Sequence, residues 1–274
     1  MKLYQDRDWL HTKYWDEELS LKEISGLANT NPETIHRWMV RNNIARRSTA
    51  GMNKRANHVN LSSYANEILT GTLLGDSYID CRKSRQSSRI NFKYKYLEHV
   101  IRLSGLLESF GIERSEEIRT IINVAVNNCV SYSYRSKSYI ELRDIRNKWY
   151  VAGKKIVPKD ILLTPATCMQ WFLDDGSLCV ARKKTKTNHI MLHTNGFTKQ
   201  DVSMLIGLLS DIGIQSHITL RNEIYISAGS TERFLSYIGK CPQDLEHVYG
   251  YKFSLTRRGT IEDWRKKNNL YPHQ

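Results

Sequence analysis

L-T-G-T-L-L-G-D-S-Y-I runs from Leu69 to Ile79, and C-M-Q-W-F-L-D-D-G-S-L runs from Cys168 to Leu178. Each is an apolar helical run that ends in an aspartate followed by a small residue: Asp76 before Ser77, and Asp175 before Gly176, 99 residues further on. Two such helices packed side by side would present two carboxylates at one place, where they could hold a divalent cation against a phosphate. Gly71 and Gly75, spaced i, i+4, point the same way. A helical glycine costs about 1 kcal/mol relative to alanine, so a pair on one face calls for another helix lying close against bare backbone. Close axes bring the acids together, and the last carbonyls of each helix add the negative end of its dipole. Like charges that near repel unless a cation or proton intervenes, so the pairing predicts a bound cation. Ligation by Asp76 and Asp175, completed by water and phosphate oxygens, suits Mg²⁺ better than zinc, with Mn²⁺ as a substitute. Asp174 lies about 100° further round the helix from Asp175 and is expected to play a secondary part.

The repetition extends past the acids. L-S-G-L-L-E-S-F-G-I (Leu103 to Ile112) and L-I-G-L-L-S-D-I-G-I (Leu205 to Ile214) share Leu, Gly, Leu, Leu, Gly and Ile at identical spacing, 102 residues apart. Leucines so spaced are ordinary core positions of an amphipathic helix. The common order of acid, strands, helix and strand argues in addition for a duplicated unit. Within each unit one strand alternates strictly. In R-I-N-F-K-Y-K, Arg89, Asn91, Lys93 and Lys95 share one face opposite Ile90, Phe92 and Tyr94. In H-I-M-L-H-T-N, His189, Met191, His193 and Asn195 oppose Ile190, Leu192 and Thr194. A half-solvated sheet has a polar face in any case. Here that face carries no acid, which suits phosphates and base edges in a DNA groove.

The charge balance agrees. The chain has 274 residues, with 41 Lys and Arg against 28 Asp and Glu, a net charge of +13. Three stretches contain no acid: Thr34 to Asn66, Cys81 to Leu97 and Gly176 to Gln200. They carry Arg37, Arg41, Arg46, Arg47, Lys54 and Arg55; Arg82, Lys83, Arg85 and Arg89 with the strand lysines; and Arg182, Lys183, Lys184, Lys186 and Lys199. Surfaces normally mix signs, so these runs imply a polyanionic partner, with double-stranded DNA the expected one. No apolar run approaches the roughly 18 to 20 residues of a membrane span, and no secretory signal is legible, so an intracellular location with DNA is expected. Five cysteines form no C-x-x-C pair, and the nine histidines show no metal-binding spacing, which argues against zinc.

Residues 20 to 44 read as two helices about a tight turn. S-L-K-E-I-S-G-L-A would turn Leu21, Ile24 and Leu27 inward, N-T-N breaks it, and P-E-T-I-H-R-W-M-V-R starts on Pro32 and buries Ile35 and Met39. This spacing fits a helix-turn-helix whose second helix enters the major groove, with Thr34, His36 and Arg37 at bases or phosphates and Arg41 nearer the backbone. The expected organisation is a helix-turn-helix domain over 1–50, a basic linker over 51–60, and two halves over 61–158 and 159–274.

On these motifs, together with K-K-I-V-P at Lys154 to Pro158, H-T-N-G-F-T at His193 to Thr198 and Y-K-F at Tyr251 to Phe253, the chain resembles single-chain LAGLIDADG homing endonucleases over about Leu61 to Leu255. The resemblance implies an α+β fold: two α-β-β-α-β-β-α halves related by a pseudo-twofold, their antiparallel sheets forming a saddle on the DNA major groove, in a monomer. It makes Asp76 and Asp175 the metal ligands. It makes Lys155 and Lys252, which follow them by 79 and 77 residues, the basic pair near the attacking water or scissile phosphate. Hydrolysis of one phosphodiester on each strand of a long target would follow. Thr72, Leu74, Ser77, Cys168, Gln170 and Trp171 depart from the nine-letter consensus, which makes the helix interface differ from the symmetric one. The alternative on the same scaffold is a non-cleaving binder, either an RNA maturase assisting intron splicing or a regulator. Retention of both acids and both lysines favours the enzyme. An intein is disfavoured, since Met1 begins the chain and P-H-Q ends it.

Overall fold

A computed structural model describes residues 2–46, 57–81, 86–124, 129–180, 187–255 and 266. The chain divides into two compact units, Met1–Arg55 and Ala56–Gln274. Arg47, Arg82, Lys83, Arg85, Arg182, Lys183, Lys184 and Lys186, all expected at DNA, lie outside the described residues.

Among its described residues the smaller unit holds three α-helices after a short 3-10 turn over Leu3–Gln5. Helix α1 (Arg7–His11), capped by the Asp6 side chain, runs on into a wider turn over Thr12–Asp16; α2 (Leu21–Leu27) and α3 (Pro32–Arg41) follow. Ser20 and Glu23 form a reciprocal capping box at the start of α2. Asn31 ends the turn by accepting a hydrogen bond from the Thr34 backbone N–H at 2.8 Å, and Pro32 takes the first helical position. Ile24, Ile35 and Met39 are buried as expected, joined by Tyr4, Leu10, Tyr14 and Ile44. The helical arm before residue 20 therefore completes the core. Leu27 departs from expectation, being 58% exposed. At 100° per residue it lies about 120° from Leu21, and Ser25 and Ala28 take the inward arc instead.

The larger unit repeats one pattern twice. Its first half runs α4 (Ser63–Leu74), β1 (Tyr78–Asp80), β2 (Arg89–Tyr94), α5 (Leu97–Ser109), β3 (Arg119–Asn123), β4 (Cys129–Arg135) and α6 (Ile140–Trp149). A hairpin, β5 (Tyr150–Val151) and β6 (Lys154–Lys155), then leads on to the second half. That half comprises α7 (Pro165–Asp175), β7 (Gly176–Cys179), β8 (His189–Leu192), α8 (Lys199–Asp211), β9 (Ser216–Ile218), β10 (Ile224–Ile226) and α9 (Ala228–Ile238), and is followed by α10 (Glu246–Tyr249) and a 3-10 turn over Gly250–Lys252. The antiparallel sheets have matching orders, β1-β2-β4-β3 and β7-β8-β10-β9. The registers match too, with Ile79 opposite Ile90 and Leu178 opposite Ile190. The duplicated α+β architecture read from the repeats is the one observed.

One continuous core joins the halves, from Leu69, Leu73 and Phe92 to Trp171, Phe172 and Leu192. Helices α4 and α7 meet inside it, and the glycines set their distance. A Cβ on Gly71 would lie 2.8 Å from the Gln170 Cβ and closer still to the Thr167 carbonyl oxygen; one on Gly75 would strike the Asp174 side chain. The repeated glycines of the other helix pair, Gly105 and Gly207, face open space. Residues 57–60, where the linker was expected to end, are tied to the larger unit. The Asn57 side chain donates to the Ser138 carbonyl at 3.0 Å, Glu141 accepts from the Val59 backbone N–H at 3.1 Å, and Val59 is buried.

Candidate active site

The C-terminal ends of α4 and α7 converge, but their acids stand differently. Asp175 is the last residue of α7, whereas Gly75 closes α4 and Asp76 sits one step beyond, in the turn to β1. Asp76 is exposed and Asp175 half-buried. Protein closely surrounds both carboxyls all the same, and desolvation lifts each above its ordinary range. Repulsion from Asp76 adds to the desolvation of Asp175, carrying it up to about 6. Asp175 thus senses Asp76 across the ends of the two motif helices.

The helix-end carbonyls, expected to favour a metal, are instead served by the two lysines. Lys155 donates through Nζ to the Gly75 and Ser77 carbonyls at 3.1 and 2.8 Å, reaching α4 from the β5-β6 hairpin. Lys252, only 6% exposed, donates to the Phe172 and Leu173 carbonyls at 3.2 and 2.7 Å, so each ammonium neutralises the negative end of one motif helix. Burial pulls both ammonium groups down to about 8, against the opposing pull of Asp76, Asp174 and Asp175.

Asp174 turns inward, with a side chain that is fully buried. Tyr94 Oη donates to its Oδ2 at 2.9 Å and Gln170 Nε2 to its Oδ1 at 2.9 Å; His99 Nε2 stands 3.4 Å away. Burial holds its carboxyl well above the usual range. The space it fills is the one left by Gly75, and the end of α4 joins the same buried cluster through Thr72, whose hydroxyl donates to Asp174 Oδ2 at 3.4 Å and bonds Ser77. Among the described residues, no group of three or more His, Cys, Asp or Glu side chains forms a ready metal cage. Two carboxylates are an incomplete, all-oxygen donor set, which suits a hard cation that keeps water and phosphate oxygens in its shell.

The strand faces place the remaining expected residues. Lys93 and Lys95 are exposed, the latter over the Tyr96 ring at 5.5 Å, while Arg89 lies 3.5 Å from Asp80. Asn91 departs from expectation. It is 5% exposed and its Oδ1 accepts from Arg135 Nε at 3.2 Å, so it braces a neighbour. His189 stacks on Tyr225 at 4.6 Å, and Tyr225 packs on His217 at 4.7 Å. His193 Nδ1 donates to Glu223 at 2.8 Å, and Asn195 donates to the same oxygen at 3.5 Å. In the smaller unit Thr34 and His36 are half-buried, Arg37, Arg41 and Arg46 are exposed, and Arg41 lies over Trp38 at 5.0 Å.

The acid-free character of β2 and β8 does not survive pairing. Asp80 arrives from β1, Glu223 from the approach to β10, and Glu116 lies 3.5 Å from Arg135. Arg119, Arg135, His217 and Tyr225 were missed as members of these faces. For Arg135 a signal existed, since C-V-S-Y-S-Y-R alternates along β4 with Tyr134 inward.

Comparison with known proteins agrees with this architecture. The sequence profile of the LAGLIDADG DNA endonuclease family matches residues 66–234, well over half of the chain. The chain belongs to that family. A probable intron-encoded endonuclease of Wickerhamomyces canadensis is 29% identical over 156 residues, covering 55% of this chain and 66% of that protein. The cytochrome b mRNA maturase bI2 of Debaryomyces hansenii is 28% identical over 151 residues, 52% of this chain and 54% of the maturase. The matches to these two relatives thus span about half to two thirds of their length. The solved structure of the homing endonuclease I-WcaI bound to its DNA recognition sequence superimposes with a TM-score of 0.60 at 24% identity, over 74% of this chain and 91% of that one.

Proposed function

We propose that this protein is a site-specific DNA endonuclease that hydrolyses one phosphodiester on each strand of a long duplex target. The observation that carries the reading is the meeting of the ends of α4 and α7, where Asp76 and Asp175 are both desolvated and Asp175 senses Asp76, flanked by half-buried Lys155 and buried Lys252. A protein that only binds a polyanion gains nothing from desolvated carboxylates aimed at it. Asp76 and Asp175 would hold Mg²⁺, or Mn²⁺ in its place, and the cation would polarise the scissile phosphate and acidify a bound water. Lys155 and Lys252 would hold the motif helices at the site and meet phosphate charge. The basic face of the first sheet would lie along the DNA, and α3 would extend the footprint through Thr34, His36 and Arg37.

A second reading, an RNA maturase on the same scaffold, draws on the similarity to a maturase. Purified protein with plasmids carrying candidate insertion loci, with and without Mg²⁺, separates the two. Linear product that requires the metal supports the nuclease, whereas tight intron RNA binding with no cutting at any locus supports the maturase.

A further inference from the structure

The registers align the two halves residue by residue around the acids. Phe92 pairs with Tyr134 in the first sheet and Leu192 with Ile224 in the second, so Lys93 and Ser133 occupy the positions that His193 and Glu223 occupy. One pair of grid points therefore holds an ammonium facing a hydroxyl beside Asp76, and an imidazole facing a carboxylate beside Asp175. The second pair is built as a unit. Glu223 takes the Nδ1–H of His193 at 2.8 Å and is itself steadied by Asn195 and by the Thr219 hydroxyl, which accepts from the Glu223 backbone N–H at 3.2 Å. The His193 backbone N–H donates to the Asp175 carbonyl at 3.0 Å, and its Nε2 lies 3.4 Å from Ser177 Oγ on β7, two residues beyond that acid. Nδ1 is thus committed to Glu223, and Nε2, at a long 3.4 Å from the Ser177 hydroxyl, is the ring atom that can exchange its partner for water or DNA.

We propose that the two strand-cutting centres are chemically unlike: His193, held by Glu223, contacts the attacking water of one strand, while Lys93 offers the other strand only a point charge. A carboxylate on Nδ1 fixes the ring's plane and leaves Nε2 as a hydrogen-bond acceptor for a water O–H. An ammonium on a four-carbon stem can only donate, and its position is loose. Glu223 acts through His193 and is a positioning residue. Asp175 also senses His193, as Asp76 senses Lys93, consistent with the two residues standing at corresponding places.

This inference rests on the nuclease reading and is tested by strand-resolved cleavage. The probe is a duplex selected by the wild-type protein from a randomised library, with a different fluorophore on each 5′ end, cut in Mg²⁺ under single turnover. His193→Ala is expected to slow one strand by about 100-fold and the other by less than about threefold, leaving a nicked product. Glu223→Gln should slow the same strand by about tenfold, and His193→Lys should not restore it. Affinity for the same duplex in Ca²⁺ separates a binding defect, and if His193→Ala fails to bind, Glu223→Gln decides. Equal slowing of both strands, or of neither, overturns the inference while the nuclease reading stands. A wild-type protein that selects a duplex but cuts neither strand overturns the nuclease reading itself.

Discussion

The first sheet and the second share strand order and register yet present different chemistry. The outer face of the first carries Arg89, Lys93, Arg119 and Arg135; that of the second carries the His189, Tyr225 and His217 rings with His193. Beneath them, Gly75 stands on one motif helix where Asp174 stands on the other, so the second half alone sends a carboxyl into the buried polar cluster between them. Duplication preserved what topology demands: buried alternation, strand pairing and close helices. The surfaces were free to diverge. Two identical faces would demand a palindromic target, and two unlike faces remove that demand.

The largest expected effect tests whether the acids act together across this divide. Asp76→Asn or Asp175→Asn should each lower cleavage by about 10³-fold or more, while gel-shift affinity in Ca²⁺ stays near wild type. A single variant that retained normal cleavage would detach its half from the chemistry. The helix contact comes next. Gly75→Ala should cost about 1–3 kcal/mol through its clash with Asp174, read as a lower melting temperature. Gly105→Ala, whose Cβ meets open space, should instead gain about 0.5–1 kcal/mol. Equal effects at the two positions would remove the special status given to the motif helices.

The charge carried by Asp175 predicts a smaller effect with a definite sign. Its carboxyl holds a proton up to about 6 when folded against an ordinary 3.8, so its stabilising contribution is present at low pH and is lost as pH rises through that window. At pH 7.5 the ionised, desolvated group burdens the fold. Asp175→Asn should therefore raise the melting temperature there by roughly 2–4 °C, for about 1 kcal/mol, and lose that advantage below about pH 4. A variant equally stabilised at pH 3.5 would contradict this. The smallest expected difference separates the sheets. Arg135→Ala should reduce the slope of log affinity against log salt by roughly 0.9, the loss of one phosphate contact, whereas His217→Ala should weaken binding with the slope unchanged.

Much of this was legible along the chain because it rests on local periodicity. Apolar alternation in R-I-N-F-K-Y-K and in H-I-M-L-H-T-N marks which residues face the core, and Ile90, Phe92, Ile190 and Leu192 are indeed buried. The glycine spacing announced the helix contact. Asn91 was misjudged because alternation assigns a face without saying who else occupies it, and Arg135 comes 44 residues later. Leu27 was misjudged because a short helix with little apolar content leaves its inward arc ambiguous by a residue or two. The His193 and Glu223 pair could not be read at all, since 30 residues separate its members and strand pairing alone brings them together.

From the sequence by itself came the duplicated order of elements, the two terminal acids and the strongly basic balance, because these are properties of spacing and composition; the lysines that follow each acid came from the family resemblance. Only the tertiary structure decided that the Asp174 side chain is fully buried while Asp175 is half-buried, that lysine ammonium groups meet the helix-end carbonyls, and that acids from β1 and from the approach to β10 join faces that look acid-free in the chain. The physical reason is range. Side-chain direction follows from a residue's own few neighbours, whereas desolvation and Coulomb interaction depend on every group that folding brings within a few ångströms, whatever its distance along the chain.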